Sequence, residues 1–426
     1  MAKPTRVRHL VLSMICLLYF VAYLDRVNIS VAAPAIMQEF AISKVELGAV
    51  FAAFSVGYVL LQIPFGRLGD RLGPRLVLTG LVTLWSIMTG ITGLAWNLTS
   101  LAVARLGLGV GQAGAFPNAT RAFSDWVPAS GRGFFQGLTQ ACARFGSAIT
   151  PWIVAPMVAV WGWRTAFFFC GVTGLVWAGL WYFWYRNSPR EYDAHWGGIN
   201  QAEQDLISQG KGAAGTAPAL PVKRLLQSRN MWALCASYFC YCYCFWIFLT
   251  WLPTYLVEAR GFSFLGMGFF ASVPFLLGGV GGILGGWLSD KILDRTNNRK
   301  LARRLVAIPG LLWAAFFLIP GVLTDSPFLS IACLASSLFG LELSIGVYWA
   351  VCLDVGHEHA GTVSGMMNSL GSMSSIGSPF LFGAIVQYTG SWEYPFLVSS
   401  AFLFAGALVL LWFDPQLTLS EELQLK

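Results

Sequence analysis

The chain has 426 residues, of which 56% are hydrophobic and 11% charged, with a formal net charge of +7. That composition excludes an ordinary soluble domain and points to a helical membrane protein with many crossings. The basic residues are spread over short loops rather than gathered into a stripe, which excludes a nucleic-acid reading of the charge.

Apolar stretches of about 20 residues, the length of one crossing, recur along the chain. The first, near 9–37, carries Tyr23-Leu24-Asp25-Arg26 in its middle. Ionisable groups at that depth cost roughly 3 kcal/mol or more, so they face a water-filled cavity or pair with each other. Helical spacing puts Tyr19, Tyr23 and Arg26 on one face, with Asp25 about 100° to one side. The short basic stretch Met1–Arg8 precedes an apolar run too long for a signal-peptide core, so no cleavable leader is expected.

The second span, near 46–65, holds Tyr58 and is followed by Gly66-Arg67-Leu68-Gly69-Asp70-Arg71-Leu72-Gly73-Pro74-Arg75. Further spans are expected near 76–95, 98–124, 134–158 and 165–185. In the fourth, Arg105 and Gln112 lie seven residues apart and nearly aligned. Gly107, Gly111, Gly114, Asn118 and Arg121 form another stripe, whose small residues suit close helix packing. Gly107-Leu108-Gly109-Val110-Gly111 follows no strand, which excludes a nucleotide loop. Arg121 and Asp125, one turn apart near the end of this span, read as a structural pair. The fifth span carries Gln136, Gln140, Arg144 and Ser147 as a polar stripe suited to lining a cavity.

The long polar stretch Arg186 to Arg229 contains Pro189, the amphipathic run 202–207, a Gly/Ala-rich run from Gly210 to Gly215, and Lys223-Arg224. It reads as a linker, which divides the chain into a first six-helix half at 1–190, a cytoplasmic linker at 191–229 and a second six-helix half at 230–426. The second half has expected spans near 231–257, 265–288, 304–323, 327–352, 362–388 and 394–413, twelve in all. The seventh is aromatic, with Tyr238, Tyr241, Tyr243 and Trp246. Its cysteines, Cys240, Cys242 and Cys244, alternate without a nearby histidine and read as apolar packing. The tenth aligns Glu342, Gly346 and Trp349; the eleventh carries Ser364, Asn368, Ser372 and Ser375.

Gly286-Trp287-Leu288-Ser289-Asp290-Lys291 follows the eighth span as the earlier loop follows the second. Both read Gly, three residues, Asp, then a base. Gly66, Asp70, Arg71, Arg75 and Asp290 are therefore the expected parts of a conformational latch between neighbouring helix ends. With both termini on the cytoplasmic side, Lys44, Arg164 and Arg260 are the basic residues left for the outer loops, a strong orientation signal. His195, His357 and His359 fall in loops and His9 opens the first span. Neither a nucleophile–base spacing nor a metal-ligand cluster is present, so no enzyme, metal or cofactor is expected.

Twelve spans, a long central loop and the paired loop motif resemble the major facilitator superfamily of secondary transporters over essentially the whole chain. That resemblance implies an all-α membrane fold of two six-helix bundles related by a parallel repeat, with a substrate site near the bilayer midplane. Tyr23-Leu24-Asp25-Arg26, Phe116-Pro117-Asn118, Trp349-Ala350 through Asp354, and Gly361-Thr362-Val363-Ser364-Gly365-Met366-Met367-Asn368 together resemble its anion:cation symporter branch. That branch includes bacterial galactonate, glucarate and hexuronate permeases and animal phosphate, glutamate and sialic-acid carriers. The resemblance implies that Asp25 carries the proton, that Arg26 contacts the substrate, and that Tyr23 and Tyr58 line its site. It equates Arg105 with the branch's fourth-span arginine and gives Trp349 and Asn368 a grip on the substrate. Many members have a titratable glutamate where this chain has Gln112. Glu342, mid-span in the tenth crossing, is the residue that compensates.

The residues point the same way. Three arginines inside the spans, Arg26, Arg105 and Arg144, outnumber the two carboxylates Asp25 and Glu342, and fixed cations in a dry cavity attract anions. Polar stripes containing Gln140 and Asn368 suit a hydroxylated body, and Arg144 offers a place for a second carboxylate. The expected function is import of a small organic anion, of the sugar-acid type, by proton symport and alternating access, by a monomer in a bacterial inner membrane. An organophosphate exchanger is the alternative, and a membrane anion sensor a remote one.

Overall fold

The computed structural model describes residues 3–127, 132–208, 226–356 and 360–416, with side chains at all of these except positions 70, 124, 132–136, 353, 356 and 360–362. Every regular element among them is helical. A bilayer offers the backbone no hydrogen-bond partner, and a helix satisfies its own. In chain order the helices are α1 (Val7–Phe40), α2 (Lys44–Leu72), α3 (Pro74–Gly93), α4 (Leu98–Ala113), α5 (Ala115–Trp126), α6 (Arg132–Trp161), α7 (Trp163–Trp184), α8 (Pro189–Trp196) and α9 (Gln201–Ser208). They continue as α10 (Arg229–Glu258), α11 (Phe264–Phe270), α12 (Ser272–Thr296), α13 (Arg299–Leu323), α14 (Pro327–Leu343), α15 (Ile345–Gly356), α16 (Ala360–Thr389) and α17 (Glu393–Val409).

Among the described residues, ten stretches are long and apolar enough to cross a membrane. The expectation was twelve. The two others are the fourth span, which breaks into α4 and α5, and α17, which is 17 residues long. The break at Gly114 has a local cause. Pro117 cannot donate to the preceding turn, and Asn118 braces the break: its Nδ2 donates to the carbonyls of Gly114 (2.7 Å) and Phe65 (3.0 Å), the second tying it to α2. The tenth span breaks at the matching place, where Ser344 separates α14 from α15 and returns its hydroxyl to the Leu341 carbonyl at 2.6 Å.

The chain forms two compact units. The first takes Met1–Asn28, Ala53–Gly146 and Met157–Thr216; the second takes Ile29–Ala52, Ser147–Pro156 and Ala217–Lys426. The helices α1, α2 and α6 therefore each contribute to both.

In the first unit, α4 uses its glycines as the small-residue stripe suggests. A Cβ on Gly111 would stand 2.7–2.9 Å from Trp85 of α3, and one on Gly107 would stand 2.6 Å from the Met88 sulfur. Asn97 caps α4, accepting from the Ser100 amide at 2.8 Å, while Ser100 accepts from the Asn97 amide in return. Gly73, at φ +80, makes the turn between α2 and Pro74 that an L side chain would strain. The expected linker begins with α8 and α9. Glu203 of α9, fully buried, accepts from the backbone amides of Val7 (3.2 Å) and Arg8 (3.1 Å) and pairs with the Arg8 guanidinium at 3.0 Å. An acid on the first amides of α1 is favoured by both hydrogen bonding and the helix dipole.

In the second unit the hairpin joining α1 to α2 packs on α10 and α16. Lys44 pairs with Glu258 at 2.7 Å, the Val45 amide donates to Gln387 at 3.0 Å, and Phe51 meets Trp251 edge-on at 5.7 Å. Cys240, Cys242 and Cys244 are buried in α10, in line with their reading as packing residues.

Candidate functional site

The first unit gathers most of the expected site residues into one buried cluster. On α1, Asp25 is fully buried and Arg26 only 5% exposed. The Arg26 guanidinium is enclosed by four rings. Its carbon lies 4.6 Å from the Tyr58 centroid, 4.9 Å from Tyr23, 5.1 Å from Phe116 and 5.4 Å from Phe54. Each face-on ring contributes about 0.5–2 kcal/mol to holding a cation. The rings come from α1, α2 and α5, so the break before α5 has a use: it turns Phe116 inward, 4.6 Å from Tyr19 and 6.4 Å from Tyr23.

From α4, two side chains one heptad apart reach across to α1. Arg105 Nη1 donates to the Asp25 backbone carbonyl at 3.3 Å, and Arg105 lies 5.4 Å from the Phe54 ring. Gln112 accepts from Arg26 Nε at 2.7 Å and donates to the Ala22 carbonyl at 3.1 Å. The expected alignment of Arg105 and Gln112 is thus a shared reach toward one helix. Arg144 of α6, buried, stands 5.6 Å from the Tyr23 ring. The buried Asp25 carboxylate is met from α4 and α3. Arg105 is the cation acting on that carboxylate, and Trp85 and Thr89 approach it from α3. Arg105 therefore acts on the buried acid, while Arg26 and Arg144 both approach the Tyr23 ring on the same helix.

The second unit holds a different cluster. Glu342, at the end of α14, is buried and accepts from the Tyr241 hydroxyl at 2.9 Å. Tyr241 stacks on Tyr238 at 5.5 Å and lies 5.8 Å from Tyr348, whose hydroxyl shares a 2.6 Å hydrogen bond with Ser237. Gly278 of α12 makes room for the acid: a Cβ there would stand 3.2 Å from Glu342 Cγ. Trp349, Asn368 and Gln140, on α15, α16 and α6, are each half-buried.

The expected latch residues take separate roles. Asp290 pairs with Arg303 at 3.1 Å, and Arg303 also binds Asp354 at 2.8 Å and Ser289 at 2.6 Å, joining α12, α13 and α15. In the first unit Arg75 donates to the Tyr182 carbonyl at 2.9 Å while its amide donates to Asn187 at 3.0 Å, which ties the start of α3 to the end of α7. Arg71 is exposed. Within the first loop motif the tighter spot is Gly69, where a Cβ would overlap the Asn118 carboxamide, rather than Gly66, where it would make an ordinary 3.4 Å contact with Pro117. Arg121 and Asp125 form the expected one-turn pair at 3.7 Å. The Asp70, Arg132, Gln136, Gly361 and Thr362 side chains, the run Gly210–Gly215, Lys223, Arg224, His357, His359 and Lys426 lie outside what the structure describes.

Residues that sequence reasoning did not assign to a site are Phe54, Phe116, Trp85, Tyr348 and Arg303. Phe116 stands in a motif already singled out. Phe54, Trp85 and Tyr348 carry no local signal, since an aromatic in a membrane span reads equally well as packing, and Arg303 read only as one of several basic residues on the cytoplasmic side.

The model of the Major Facilitator Superfamily matches residues 15–379. The chain is 42% identical over 419 residues to the probable sulfoacetate transporter of Cupriavidus necator, covering 98% of this chain and 96% of that protein. It is 30% identical over 391 residues to the hexuronate transporter of Bacillus subtilis, covering 91% and 88%, and 30% identical over 418 residues to the probable L-galactonate transporter of Escherichia coli, covering 95% and 90%. Among solved structures, a bacterial homolog of the human lysosomal transporter Spinster, in an inward-facing and occupied conformation, superposes with a TM-score of 0.75 at 19% identity, over 97% of each chain.

Proposed function

We propose, for a chain that belongs to the Major Facilitator Superfamily and to its anion symporter branch, that it imports a small organic anion with protons by alternating access. The observation that carries this reading is the burial of Arg26, Arg105 and Arg144 in one unit, with Asp25 as the acid beside Arg105. Buried guanidiniums in excess of carboxylates favour an anionic ligand, and their planar forks suit carboxylate and other oxyanions. Asp25 is the proton carrier. Ionised, it offsets Arg105; protonated, it releases that charge to the substrate. Proton and anion then each strengthen the other's binding, a reciprocal coupling. Glu342 is the second proton-linked group.

Counting α4 with α5 as one interrupted crossing and α17 as a short one gives twelve spans. They divide into an N-terminal bundle at 1–190, a linker at 191–229 and a C-terminal bundle at 230–426, with both termini cytoplasmic and the protein in a bacterial inner membrane. Arg75 and Asp290, with Gly66, Asp70 and Arg71, form the conformational latch. Tyr23, Tyr58, Gln140, Trp349 and Asn368 complete the substrate site.

With Asp25 protonated at loading, the guanidiniums of Arg26, Arg105 and Arg144 are left without that carboxylate, which favours a dianion over a monoanion. A sugar diacid of the glucarate type meets that requirement. So does a compact sulfonated carboxylate, and the 42% identity to a protein named for sulfoacetate favours that second reading. The test is uptake into proteoliposomes under an imposed inward proton gradient, with labelled glucarate, galactonate and sulfoacetate. Accumulation of one of them that collapses with a protonophore supports symport. Competition by glycerol phosphate but by none of these acids points instead to the organophosphate exchanger.

A further inference from the structure

We propose that Gln112 is a positioning residue for the anion: a neutral clamp that holds Arg26 within its rings without cancelling its charge. This rests on reading the first-unit cluster as the anion site. Gln112 is fully buried and uses both ends of its carboxamide, Oε1 toward Arg26 Nε at 2.7 Å and Nε2 toward the Ala22 carbonyl at 3.1 Å. Those partners fix the orientation of the amide, because a guanidinium cannot accept and a carbonyl cannot donate.

A carboxylate of equal length meets the same two neighbours differently. Ionised, it becomes a full counter-ion to Arg26 and sets a second acceptor against the Ala22 carbonyl. Only the protonated acid supplies one acceptor and one donor, as the amide does at every pH. The amide therefore orients Arg26 independently of pH and leaves its charge to the incoming anion.

The charged and titratable groups around this clamp are Asp25, Arg26, Tyr19 and Tyr23 on α1, Tyr58 on α2, Arg105 on α4, Arg144 on α6 and Cys170 on α7. The helices α3 and α5 contribute Trp85, Thr89 and Phe116, which do not titrate. Asp25 is the one carboxylate among these described residues, so a second introduced at position 112 has a separable signature.

The experiment uses purified wild type, Gln112→Glu and Gln112→Leu, with sulfoacetate and glucarate as probes in calorimetric titrations from about pH 5 to about pH 8. Gln112→Glu is expected to bind the wild type's anion about tenfold more weakly at the upper pH and to recover toward wild type at the lower one. Gln112→Leu is expected to bind more weakly by a similar factor at every pH.

A second arm needs no anion. The melting-temperature difference between Gln112→Glu and wild type is expected to change with pH, while that of Gln112→Leu stays constant. Parallel wild-type and Gln112→Glu profiles in both arms overturn the clamp. A wild type that binds neither anion overturns the functional reading and the anion half of this proposal, and the melting arm then decides whether the clamp exists.

Discussion

The two units handle buried charge in opposite ways. In the first, Arg26, Arg105 and Arg144 of α1, α4 and α6 are buried against aromatic rings, and Arg105 acts on Asp25. In the second, one glutamate sits among tyrosine and serine hydroxyls, and α10, α14 and α16 contain no lysine or arginine beyond Arg229 at the start of α10. Yet the two share a plan, since each breaks the fourth crossing of its half, at Gly114 and at Ser344. The same scaffold thus carries a guanidinium cluster in one unit and a hydroxyl cluster in the other. Under the proposed function, the anion's charge is read by the first unit.

The sharpest way to break this contrast is Asp25→Asn. Proton-driven accumulation in proteoliposomes should disappear while counterflow of preloaded anion survives; unchanged accumulation removes Asp25 from the coupling. Next in size is Arg26→Lys. An ammonium lacks the planar fork and the ring stacking of a guanidinium, and disturbing a buried charge contact costs about 2 kcal/mol or more. Anion affinity by calorimetry should fall about 30-fold.

A smaller effect is expected in the second half. Glu342→Gln keeps an acceptor for Tyr241 but removes the charge, so the accumulation ratio should drop about fivefold, near the lower end of typical coupling energies, with anion affinity unchanged. Complete loss of accumulation there erases the contrast between the halves.

The smallest effect lies outside the spans, at Asp414. Partial burial raises its pKa, but the hydrogen bond from Lys300 at 2.7 Å, with the Gln416 amide and Arg304 nearby, brings the net value below the usual carboxylate range. A depressed folded pKa gives stability that is present above the unfolded value, about 3.9, and lost as pH falls through the folded one. Asp414→Asn should therefore melt slightly below wild type at neutral pH, and the gap should close in acid.

Much of the site was legible in the sequence because its polar members are expensive where they stand. Asp25, Arg26, Arg105 and Arg144 announce themselves by being ionisable within apolar runs. The glycines of α4 announce close packing by being small at helical spacing. Gln112 was visible as a neighbour of Arg105 on its own helix, but its partner, Arg26, lies 86 residues away in the chain. The ring cage was invisible for the opposite reason. Phe54, Tyr58 and Phe116 are three among many aromatics in an apolar chain, and nothing local distinguishes a ring that faces a cation from one that faces another ring.

The sequence by itself determined the membrane class, the recurrence of the loop motif and the identity of the buried charges, because lipid penalises every polar group and leaves only those a protein has use for. The tertiary structure decided which charges meet. Pairing across helices depends on rotation and crossing geometry, which period and composition leave open. That geometry set Gln112 on Arg26, Arg105 on the Asp25 backbone, Arg303 between Asp290 and Asp354, and Glu203 on the first turn of α1.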